Sequence, residues 1–364
     1  MPRLEKINIA NFRNIALDEI EFSPNVNCIV GGNGEGKTNL LDAIYYLSMA
    51  KSFLGQADRY NIRHGEHHFA ICGQYSMESG LQSKISLQVS PEEKILKKDG
   101  KNYSKISAHI GQFPIVTVSP TDSALVSESG EERRRFVNIV LSQTDATYLS
   151  ALQQYNKVLQ QRNHLLKEDH ADFSLLDVLD WQLSQHAAVI FEKRREWTEK
   201  LSPIVAGYYS RLSADKEQVS IQYQSELHEM EMADLLLKYR DRDRLLKYTC
   251  CGIQRDDFIF NMKQVPIRRC GSQGQQKTFL VALKFAQYEL MKQSIGIPPT
   301  LLLDDVFDKL DIARTAQLIS MVAQEDFGQI FITDCNQSRV RSLVDQATAD
   351  RAYFEAEGGR FKSL

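Results

Sequence analysis

A run of residues near the start of the chain has the types and spacing of a phosphate-binding loop. It extends from Gly31 to Thr38, reads Gly-Gly-Asn-Gly-Glu-Gly-Lys-Thr, and fits the pattern G-x-x-x-x-G-K-[ST]. In such a loop main-chain N–H groups face the phosphates, Lys37 reaches the β- and γ-phosphates, and the Thr38 hydroxyl joins the Mg²⁺ shell. The residues predicted to bind a nucleotide here are Gly31, Gly32, Asn33, Gly34, Glu35, Gly36, Lys37, Thr38 and Asn39.

The residues on either side of this loop support the prediction. Residues 26–30 are apolar and mostly β-branched, which is typical of a short buried strand, and residues 39–47 carry apolar side chains at helical spacing. Strand, glycine loop and helix form the context in which the pattern binds phosphate. The alternative is a glycine-rich turn between strand and helix with no ligand.

Two adjacent acids follow a second apolar strand far along the chain. Residues 300–303 read Thr-Leu-Leu-Leu and lead into Asp304 and Asp305. Such a strand lies beside the phosphate loop in P-loop proteins, so Asp304 is predicted to hold Mg²⁺ and Asp305 to polarise the attacking water. Thr333 ends another apolar run, 330–333, and is predicted to lie near the γ-phosphate. Lys37, Asp305 and Thr333 are the predicted catalytic residues, although acids that merely cap a strand would look the same.

Two further groups are candidates for nucleotide contact. Ser272, Gly274 and Gln275 open a helical run, and main-chain donors with a serine hydroxyl at a helix N-terminus attract anions. The structural alternative is an N-cap with turn glycines. Arg13 lies in the turn between two strand-like runs just ahead of the phosphate loop, where it is either a base or phosphate contact or an ordinary surface turn residue.

Bulk properties limit the class of protein. The chain has 364 residues, enough for two or three domains, and its composition is that of a soluble globular protein. No apolar run approaches bilayer length and the N-terminus has no signal-peptide pattern, so we expect a cytoplasmic protein without a membrane partner. The six cysteines have no zinc or disulfide spacing, which fits a reducing compartment.

Patterning along the chain predicts three segments. Residues 3–22 alternate as a hairpin, further strand-like runs lie at 69–75, 85–89, 94–96 and 115–118, and residues 129–244 are helical in period from a capping-box start at Ser129 and Glu132. About 260 residues separate the phosphate loop from Asp304, far more than a βαβ crossover needs, so both chain ends must fold together. The predicted domains are 1–119 and 249–364, which form one head, and 120–248, which forms a second lobe.

Any contact with DNA must come from a local basic patch, because the net charge of the chain is −3. Two arginine-rich runs in the helical segment are candidates. The residues singled out are Arg133, Arg134, Arg135, Arg240 and Arg244. Each run taken alone is more often a solvated helix face.

The order of these features resembles an ABC-type ATPase head. Within that class the chain is similar to the RecF family of bacterial recombination-repair ATPases. The residues that carry the resemblance are Asn11–Asn14, Gly31–Asn39, Glu132–Phe136, Gln161–Asn163, Ser272, Gly274, Gln275 and Leu303–Asp311. The resemblance implies an α/β fold, with an ABC-type P-loop head formed by both chain ends and an inserted, mainly α-helical lobe.

The resemblance also implies a mechanism. RecF proteins dimerise when ATP and Mg²⁺ are held between two heads, and the Ser272 loop of one subunit then closes on nucleotide bound by the other. The family binds DNA in this state, at gapped duplexes and single/double-strand junctions, and supports recombinase loading with RecO and RecR. Weak, DNA-stimulated hydrolysis then releases the clamp.

The chain departs from the common ABC pattern at three places, and rival classes remain. No glutamine ends the 115–118 strand, Asp305 stands where many relatives have glutamate, and Thr333-Asp334 replaces the usual histidine, which puts efficient hydrolysis in doubt. A chromosome-structural head of the SMC type is the alternative, but a long coiled-coil arm is missing. A transporter ATPase would need a compact subdomain in place of the middle lobe, and an OLD-type nuclease would need a further acidic domain.

Overall fold

The computed structural model describes residues 1–77, 80–168, 173–213, 217–306 and 327–364. The chain divides into two compact units, one formed by Met1–Asp122 with Gln287–Leu364 and the other by Ser123–Ala286. The prediction that both chain ends form one unit is therefore confirmed. Among the described residues, no helix combines the length and the apolar character needed to cross a membrane.

The described part of the first unit is built mainly from strands. Its elements are β1 (Arg3–Phe12), β2 (Ile15–Glu21), β3 (Val26–Val30), α1 (Lys37–Met49), β4 (Phe69–Ser76), β5 (Gln82–Val89), β6 (Lys94–Lys98), β7 (Lys101–Asn102), β8 (Ile115–Val118), β12 (Thr300–Asp304), β13 (Ile330–Asp334), α9 (Gln337–Ala347), β14 (Arg351–Glu357) and β15 (Arg360–Ser363). The predicted hairpin at the N-terminus and the predicted strands that follow are all present.

The sheet that carries the phosphate loop has the strand order β15-β14-β3-β13-β12-β8. Its strands β3, β13, β12 and β8 run parallel, with Thr333 opposite both Ile29 and Asp304 in the register. Every residue of β3 and β13 is buried, as their mainly apolar sequences predict, and the polar Asn27, Thr333 and Asp334 are buried with the rest. Because the carboxyl ends of parallel strands meet at one edge, the residues after β3, β12 and β13 are brought together.

Strand β13 is the neighbour of β3 and separates it from the acidic strand β12. Strand order in a parallel sheet depends on packing between elements distant in sequence, so the apolar runs alone do not reveal it. The acids of β12 nevertheless reach the loop through side-chain contacts described below.

Helix α1 packs between two sheets. It contacts β12 and β13 of the parallel sheet and also β1, β4 and β5 of the second sheet, which has the order β2-β1-β4-β5-β6-β7. Most of its residues are buried, including Tyr46 and Leu47 with no exposed surface. A helix covered on both sides is apolar all round, which explains why residues 40–47 show little polar face.

The second unit is mainly helical. Its elements are α2 (Ala124–Ser127), α3 (Gly130–Thr144), α4 (Ala146–Leu165), α5 (Phe173–Ser213), β9 (Val219–Gln224), α6 (Met232–Leu246), β10 (Asp257–Met262), β11 (Val265–Pro266), α7 (Ile267–Cys270) and α8 (Gln273–Ile295), of which α8 continues into the first unit. Helix α3 begins where predicted, but Ser129 makes no side-chain capping bond.

The expectation of unbroken helix over residues 129–244 is wrong at β9. Residues 219–224 alternate buried and exposed, the period of a strand, and β9 pairs antiparallel with β10. This pairing joins residues after 249 to the helical segment. The second compact unit therefore extends to Ala286, beyond the lobe boundary of 248 that the sequence suggests.

Candidate nucleotide-binding site

The phosphate loop occupies the connection between β3 and α1. Gly36 caps α1 in a left-handed conformation with φ of 107°, and a Cβ at this position would lie 2.9 Å from the Asn14 side-chain amide. A Cβ on Gly31 would lie 2.5 Å from the Ala356 carbonyl oxygen. These two glycines are therefore required by close contacts inside the protein, in addition to any contact with phosphate.

Lys37 places a buried positive charge inside the loop. Its side chain is 4% exposed, and Nζ donates hydrogen bonds to the carbonyl oxygens of Gly31 and Gly32 at 2.9 Å each. The Cys335 thiol, at the start of the segment after β13, lies 3.4 Å from the same nitrogen and donates to the Asn33 side chain. The loop thus holds an ammonium group where its pattern predicts one, and an exposed thiol stands beside it.

Thr38 and Asp304 meet at the carboxyl edge of the sheet. The Thr38 hydroxyl lies 2.9 and 3.0 Å from the two carboxylate oxygens of Asp304, although the two residues are 266 positions apart. Burial raises the pKa of Asp304, while hydrogen bonds from Thr333 and Thr38 oppose the shift. A cation bound here would favour the charged carboxylate. A hydroxyl and a carboxylate at this spacing are oxygen donors of the kind that Mg²⁺ uses with phosphate and water.

The described residues contain no cluster of three or more His, Cys, Asp or Glu side chains able to hold a metal ion. Mg²⁺ commonly takes only one or two carboxylates from the protein and completes its shell with water and phosphate oxygens. The Thr38 and Asp304 pair fits that mode of binding and does not fit an all-protein cage. The predicted metal ligands are thus brought together, and their role stays a prediction.

Thr333 contacts both Asp304 and Asp305. Its side chain has no exposed surface, its hydroxyl donates to Asp304 at 2.8 Å, and it accepts a hydrogen bond from the Asp305 main-chain nitrogen at 2.9 Å. Its predicted place near the γ-phosphate stays a prediction. Its bonds fix both acids at the end of β12, where Asp305 adopts a left-handed conformation with φ of 45°.

Arg13 contacts other residues of the first unit, and its predicted contact with base or phosphate stays a prediction. Its guanidinium forms an ion pair with Asp42 at 2.7 Å, and Asp42 has no exposed side-chain surface. The other side chains that accept from Arg13 are Asn39, Asn61 and Ser52. Burial raises the pKa of Asp42 to about 6 even though Arg13 opposes the shift. The sequence does not indicate that Asp42 pairs with Arg13, because Asp42 lies within an apolar helical run.

The turn between β1 and β2 contacts the phosphate loop through Asn14. Asn14 accepts a hydrogen bond from Asn39 at 2.7 Å, and its own amide donates to the carbonyl oxygen of Gly34 at 3.4 Å. Arg63 in turn donates to the Asn14 carbonyl at 2.6 Å. Asn39 therefore contributes through Asn14 to the shape of the loop, and the predicted role of Asn39 in binding nucleotide stays a prediction.

The C-terminal hairpin also holds the loop. Gly358 and Gly359 form the turn between β14 and β15, where the Gly358 nitrogen donates to the Glu35 carboxylate and the Gly359 nitrogen to the Glu35 carbonyl oxygen. A Cβ on Gly359 would lie 2.4 Å from the Asn14 carbonyl oxygen. Glu35 is thus fixed by residues more than 300 positions away, a contact that no local pattern predicts.

A glycine pair gives a matched test of this support. We expect Gly359→Ala to weaken nucleotide binding at least fivefold, roughly 1 kcal/mol, because the added methyl group must displace the Asn14 backbone beneath the loop. Gly358 shares a positive φ, 56° against 79°, but no described atom lies within 4 Å of the point where an alanine would place its Cβ. Gly358→Ala should change the affinity by less than about twofold. Titration with a fluorescent nucleotide measures both, and equal losses would contradict the expectation.

The Ser272 loop lies in the second unit and begins α8. The Ser272 nitrogen donates to the Gln275 side chain at 2.7 Å, and the Gln275 nitrogen lies 3.3 Å from the Ser272 hydroxyl. This reciprocal pair is a capping box, which is the purely structural role that the sequence also allows for these residues. The Gln275 amide also donates to Glu217 at 2.8 Å, and the Gly274 carbonyl accepts from Thr278. Ser272 remains exposed, so its predicted contact with a nucleotide held by another copy stays a prediction.

Three of the five arginines proposed for DNA contact are occupied by the protein itself. Arg133 is 6% exposed and binds Asp257 through two hydrogen bonds of 2.7 and 2.9 Å. Arg134 donates to the Asp256 carbonyl at 2.7 Å, and Arg240 bridges two aspartates at 2.6 and 2.8 Å. The other two, Arg135 and Arg244, pair with Glu132 and Asp241 on their own helices, but their side chains are 44% and 51% exposed and remain accessible.

Comparison with known proteins places this chain in a family. The family model described as RecF/RecN/SMC N terminal domain matches residues 3–351. The DNA replication and repair proteins RecF of Parabacteroides distasonis and Porphyromonas gingivalis are 42% and 43% identical, over 99% and 98% of this chain and 99% of each relative.

Solved structures agree with the sequence relatives. The structure of the recombination mediator protein RecF with ATP in the RecFOR pathway has a TM-score of 0.90 at 28% identity and covers 100% of this chain and 98% of that one. An Smc head domain from Pyrococcus furiosus has a TM-score of 0.58 at 16% identity, covers 100% and 96% of the two chains, and so shares the fold. The predicted α/β ABC-type head with an inserted helical lobe is confirmed. The chain belongs to the RecF family of DNA replication and repair proteins, within the wider RecF/RecN/SMC group of ATPases.

Proposed function

We propose that this chain is an ATP-dependent clamp on DNA that acts in recombinational repair of gapped DNA. The observation that carries the proposal is the meeting of Lys37, Thr38 and Asp304 at one sheet edge, with the Thr38 hydroxyl 2.9 Å from the Asp304 carboxylate. These are the groups that a P-loop ATPase needs to hold phosphates and Mg²⁺. The ATP present in the similar RecF structure supports ATP as the nucleotide.

The proposed chemistry assigns separate tasks to the residues of the site. Lys37 neutralises phosphate charge, while Thr38 and Asp304 hold the cation that ATP requires. Asp305 orients the attacking water, and Thr333 keeps both acids in place through its two hydrogen bonds. Hydrolysis is weak, because the chain lacks the glutamine and histidine that complete faster ABC-type sites. DNA stimulates this weak hydrolysis.

ATP acts in this proposal as a ligand that joins two copies of the chain. Ser272, Gly274 and Gln275 of one copy close on the nucleotide bound by the other, and each head supplies half of the contacts. Because the closed state contacts the γ-phosphate from both sides, ATP shifts the population toward the dimer and hydrolysis reverses the shift.

Double-stranded DNA, especially at gaps and single/double-strand junctions, is the proposed ligand of the closed dimer. Arg135 and Arg244 are the accessible candidates among the arginines considered. RecR and RecO are the proposed protein partners, supported by the RecFOR pathway named for the similar structure, and the cytoplasm is the proposed location. The relation to Smc heads rests on fold alone, so no observation favours the chromosome-structural alternative.

Two exposed cysteines allow a direct test of closure between copies. Cys335 lies beside Lys37 in the phosphate loop, and Cys270 lies two residues before Ser272. We expect ATP to slow alkylation of both thiols in the unaltered chain, by occupying the loop at Cys335 and by burying the Ser272 loop at Cys270. In Ser272→Arg, ATP should still protect Cys335 at least about fivefold but leave Cys270 unprotected, since the added side chain blocks only the contact between copies.

The readout is peptide mass spectrometry after timed alkylation, with sedimentation velocity on the same samples. Ser127→Arg places an arginine at another exposed serine of the second unit and serves as the control, which should dimerise with ATP like the unaltered chain. Failure of nucleotide to protect Cys335 would contradict ATP binding itself. Normal dimerisation of Ser272→Arg would contradict closure through that loop.

A further inference from the structure

The second unit carries a groove with an apolar floor and an acidic rim. It has a volume of about 660 Å³ and lies between α5 and α6, with Leu227 contributed by the segment before α6. Its large apolar side chains are Trp181, Phe191, Leu227, Met232 and Leu237. We call this surface the acidic groove.

Two of these side chains are largely exposed. Trp181 is 64% exposed and Leu237 is 65% exposed, whereas Met232 at 2% forms part of the buried floor. Exposed aromatic and leucine side chains beside a groove have the shape and chemistry by which an amphipathic helix is recognised. Tryptophan is also among the residues that most often dominate the binding energy of an interface.

The rim of the groove is strongly acidic. Five carboxylates line the groove, and Arg240 is the single guanidinium among the lining residues; the carboxylates are Asp177, Asp180, Glu192, Glu231 and Asp234. Asp180 is buried and pairs with both Arg162 and Arg240, so the other four form the rim. Arg240 also pairs with Asp177 at 2.6 Å, and Glu192 pairs with Arg195 on its own helix.

This charge selects the class of ligand. A nucleic acid backbone would bring further negative charge to Glu231, Asp234 and Asp177, so the acidic groove does not suit DNA. A helix with leucine-like side chains on one face and lysine or arginine at its edges satisfies both the floor and the rim. Its apolar face would cover Trp181 and Leu237, and its cations would reach the carboxylates.

We propose that the acidic groove binds a basic amphipathic helix of a partner protein. The surface lies entirely within the second unit, and its recognition chemistry uses neither the phosphate loop nor the accessible arginines considered for DNA. The proposal is therefore independent of the nucleotide switch, and its test needs neither ATP nor DNA. A second copy of this chain is the competing occupant, and the test distinguishes it.

The test uses the full chain and a fluorescein-labelled peptide of alternating leucine and lysine pairs, about four helical turns long. We expect it to bind with an affinity that falls as salt rises and to change the emission of Trp181. The chain has two tryptophans, and Trp197 is 7% exposed, so the change reports on the groove. A peptide with glutamate in place of each lysine should bind at least about tenfold more weakly.

Two variants of α6 form a matched pair. Leu237→Gln should weaken binding of the lysine peptide at least about tenfold, and Trp181→Ala should do the same. Leu245→Gln alters a leucine that is 85% exposed and does not line the groove, so the affinity of this variant for the peptide should stay within about twofold of the unaltered chain. All three positions are exposed at the surface, and far-ultraviolet circular dichroism checks that each variant is folded.

Three results would overturn the proposal. The first is equal binding of the lysine and glutamate peptides, which would remove the role of charge. The second is equal weakening by Leu237→Gln and Leu245→Gln, which would place the peptide elsewhere. The third is a change in the sedimentation of the chain alone in Leu237→Gln with no change in Leu245→Gln, which would assign the groove to self-association.

Discussion

Lys37→Ala is expected to lower the affinity for ATP at least about hundredfold, close to 3 kcal/mol, and to abolish the ATP-dependent dimer. The ammonium group of Lys37 lies inside the phosphate loop, held at 2.9 Å by the carbonyl oxygens of Gly31 and Gly32. Its removal leaves two carbonyl dipoles that repel phosphate oxygens.

Lys37→Arg should fail almost as completely. A guanidinium is planar and larger than an ammonium, and it cannot form the same compact contact with two carbonyls 2.9 Å away. Lys51, an exposed lysine just beyond α1, provides the control, and Lys51→Ala should bind ATP within about twofold of the unaltered chain. Calorimetric titration measures affinity and sedimentation velocity measures the dimer. Binding within about threefold in Lys37→Ala would contradict the assignment of the loop.

The sequence is sufficient to locate the site because its two halves carry strong local patterns. The glycine loop fits a motif with a known mechanism, and both Asp304 and Thr333 end continuous apolar runs, which mark buried parallel strands. Parallel strands bring their carboxyl ends together, so the meeting of loop and acid follows from patterns 266 residues apart. The hairpin at the N-terminus is equally clear from its alternation of apolar and polar residues.

The supports of the site could not be predicted, because each depends on a contact between distant residues. Glu35 is a free position in the motif, yet the turn at Gly358 and Gly359 fixes both its side chain and its carbonyl oxygen. Arg13 has the sequence context of a surface turn residue or a ligand contact, and nothing in that context indicates its ion pair with buried Asp42. Burial of a charge is a property of the whole fold, and a sequence window contains no information about the partner.

The basic runs also show that a sequence window does not reveal which charged side chains are buried. Arg133, Arg134 and Arg135 are adjacent, yet the first is buried against Asp257, 124 positions later, and the last is 44% exposed. Successive residues of a helix point in directions about 100° apart, so one run divides between core and solvent. Strand β9 escapes prediction for a different reason, since its six residues lie within a long stretch of helical period.

Asp305→Asn is expected to reduce ATP hydrolysis at least about hundredfold while leaving the affinity for ATP nearly unchanged. An amide has the size of the carboxylate but does not accept a proton, so water at this position is no longer activated. Dimers formed with ATP should then persist for as long as nucleotide remains bound. Sedimentation after removal of free ATP, together with phosphate release, measures both effects.

Asp304→Asn separates the roles of the two adjacent acids. Asp304 is 4% exposed and lies 2.9 Å from the Thr38 hydroxyl, so its charge is placed to bind Mg²⁺. Its amide variant should lose the enhancement of ATP affinity by Mg²⁺, which Asp305→Asn should retain. If Asp305→Asn hydrolyses ATP at the normal rate, or if the two variants lose metal-dependent binding equally, the division of labour between these residues is wrong.

Thr333 links the two acids at the end of β12. Thr333→Val keeps the shape of a fully buried side chain but removes the hydroxyl that contacts the Asp304 carboxylate and the Asp305 nitrogen. A positioning role predicts partial loss of both properties, weaker Mg²⁺ dependence and slower hydrolysis, with Thr333→Ser restoring both. A direct catalytic contact predicts slower hydrolysis with an unchanged Mg²⁺ dependence. The same two assays therefore decide whether the end of β13 acts on the nucleotide or on the residues that hold it.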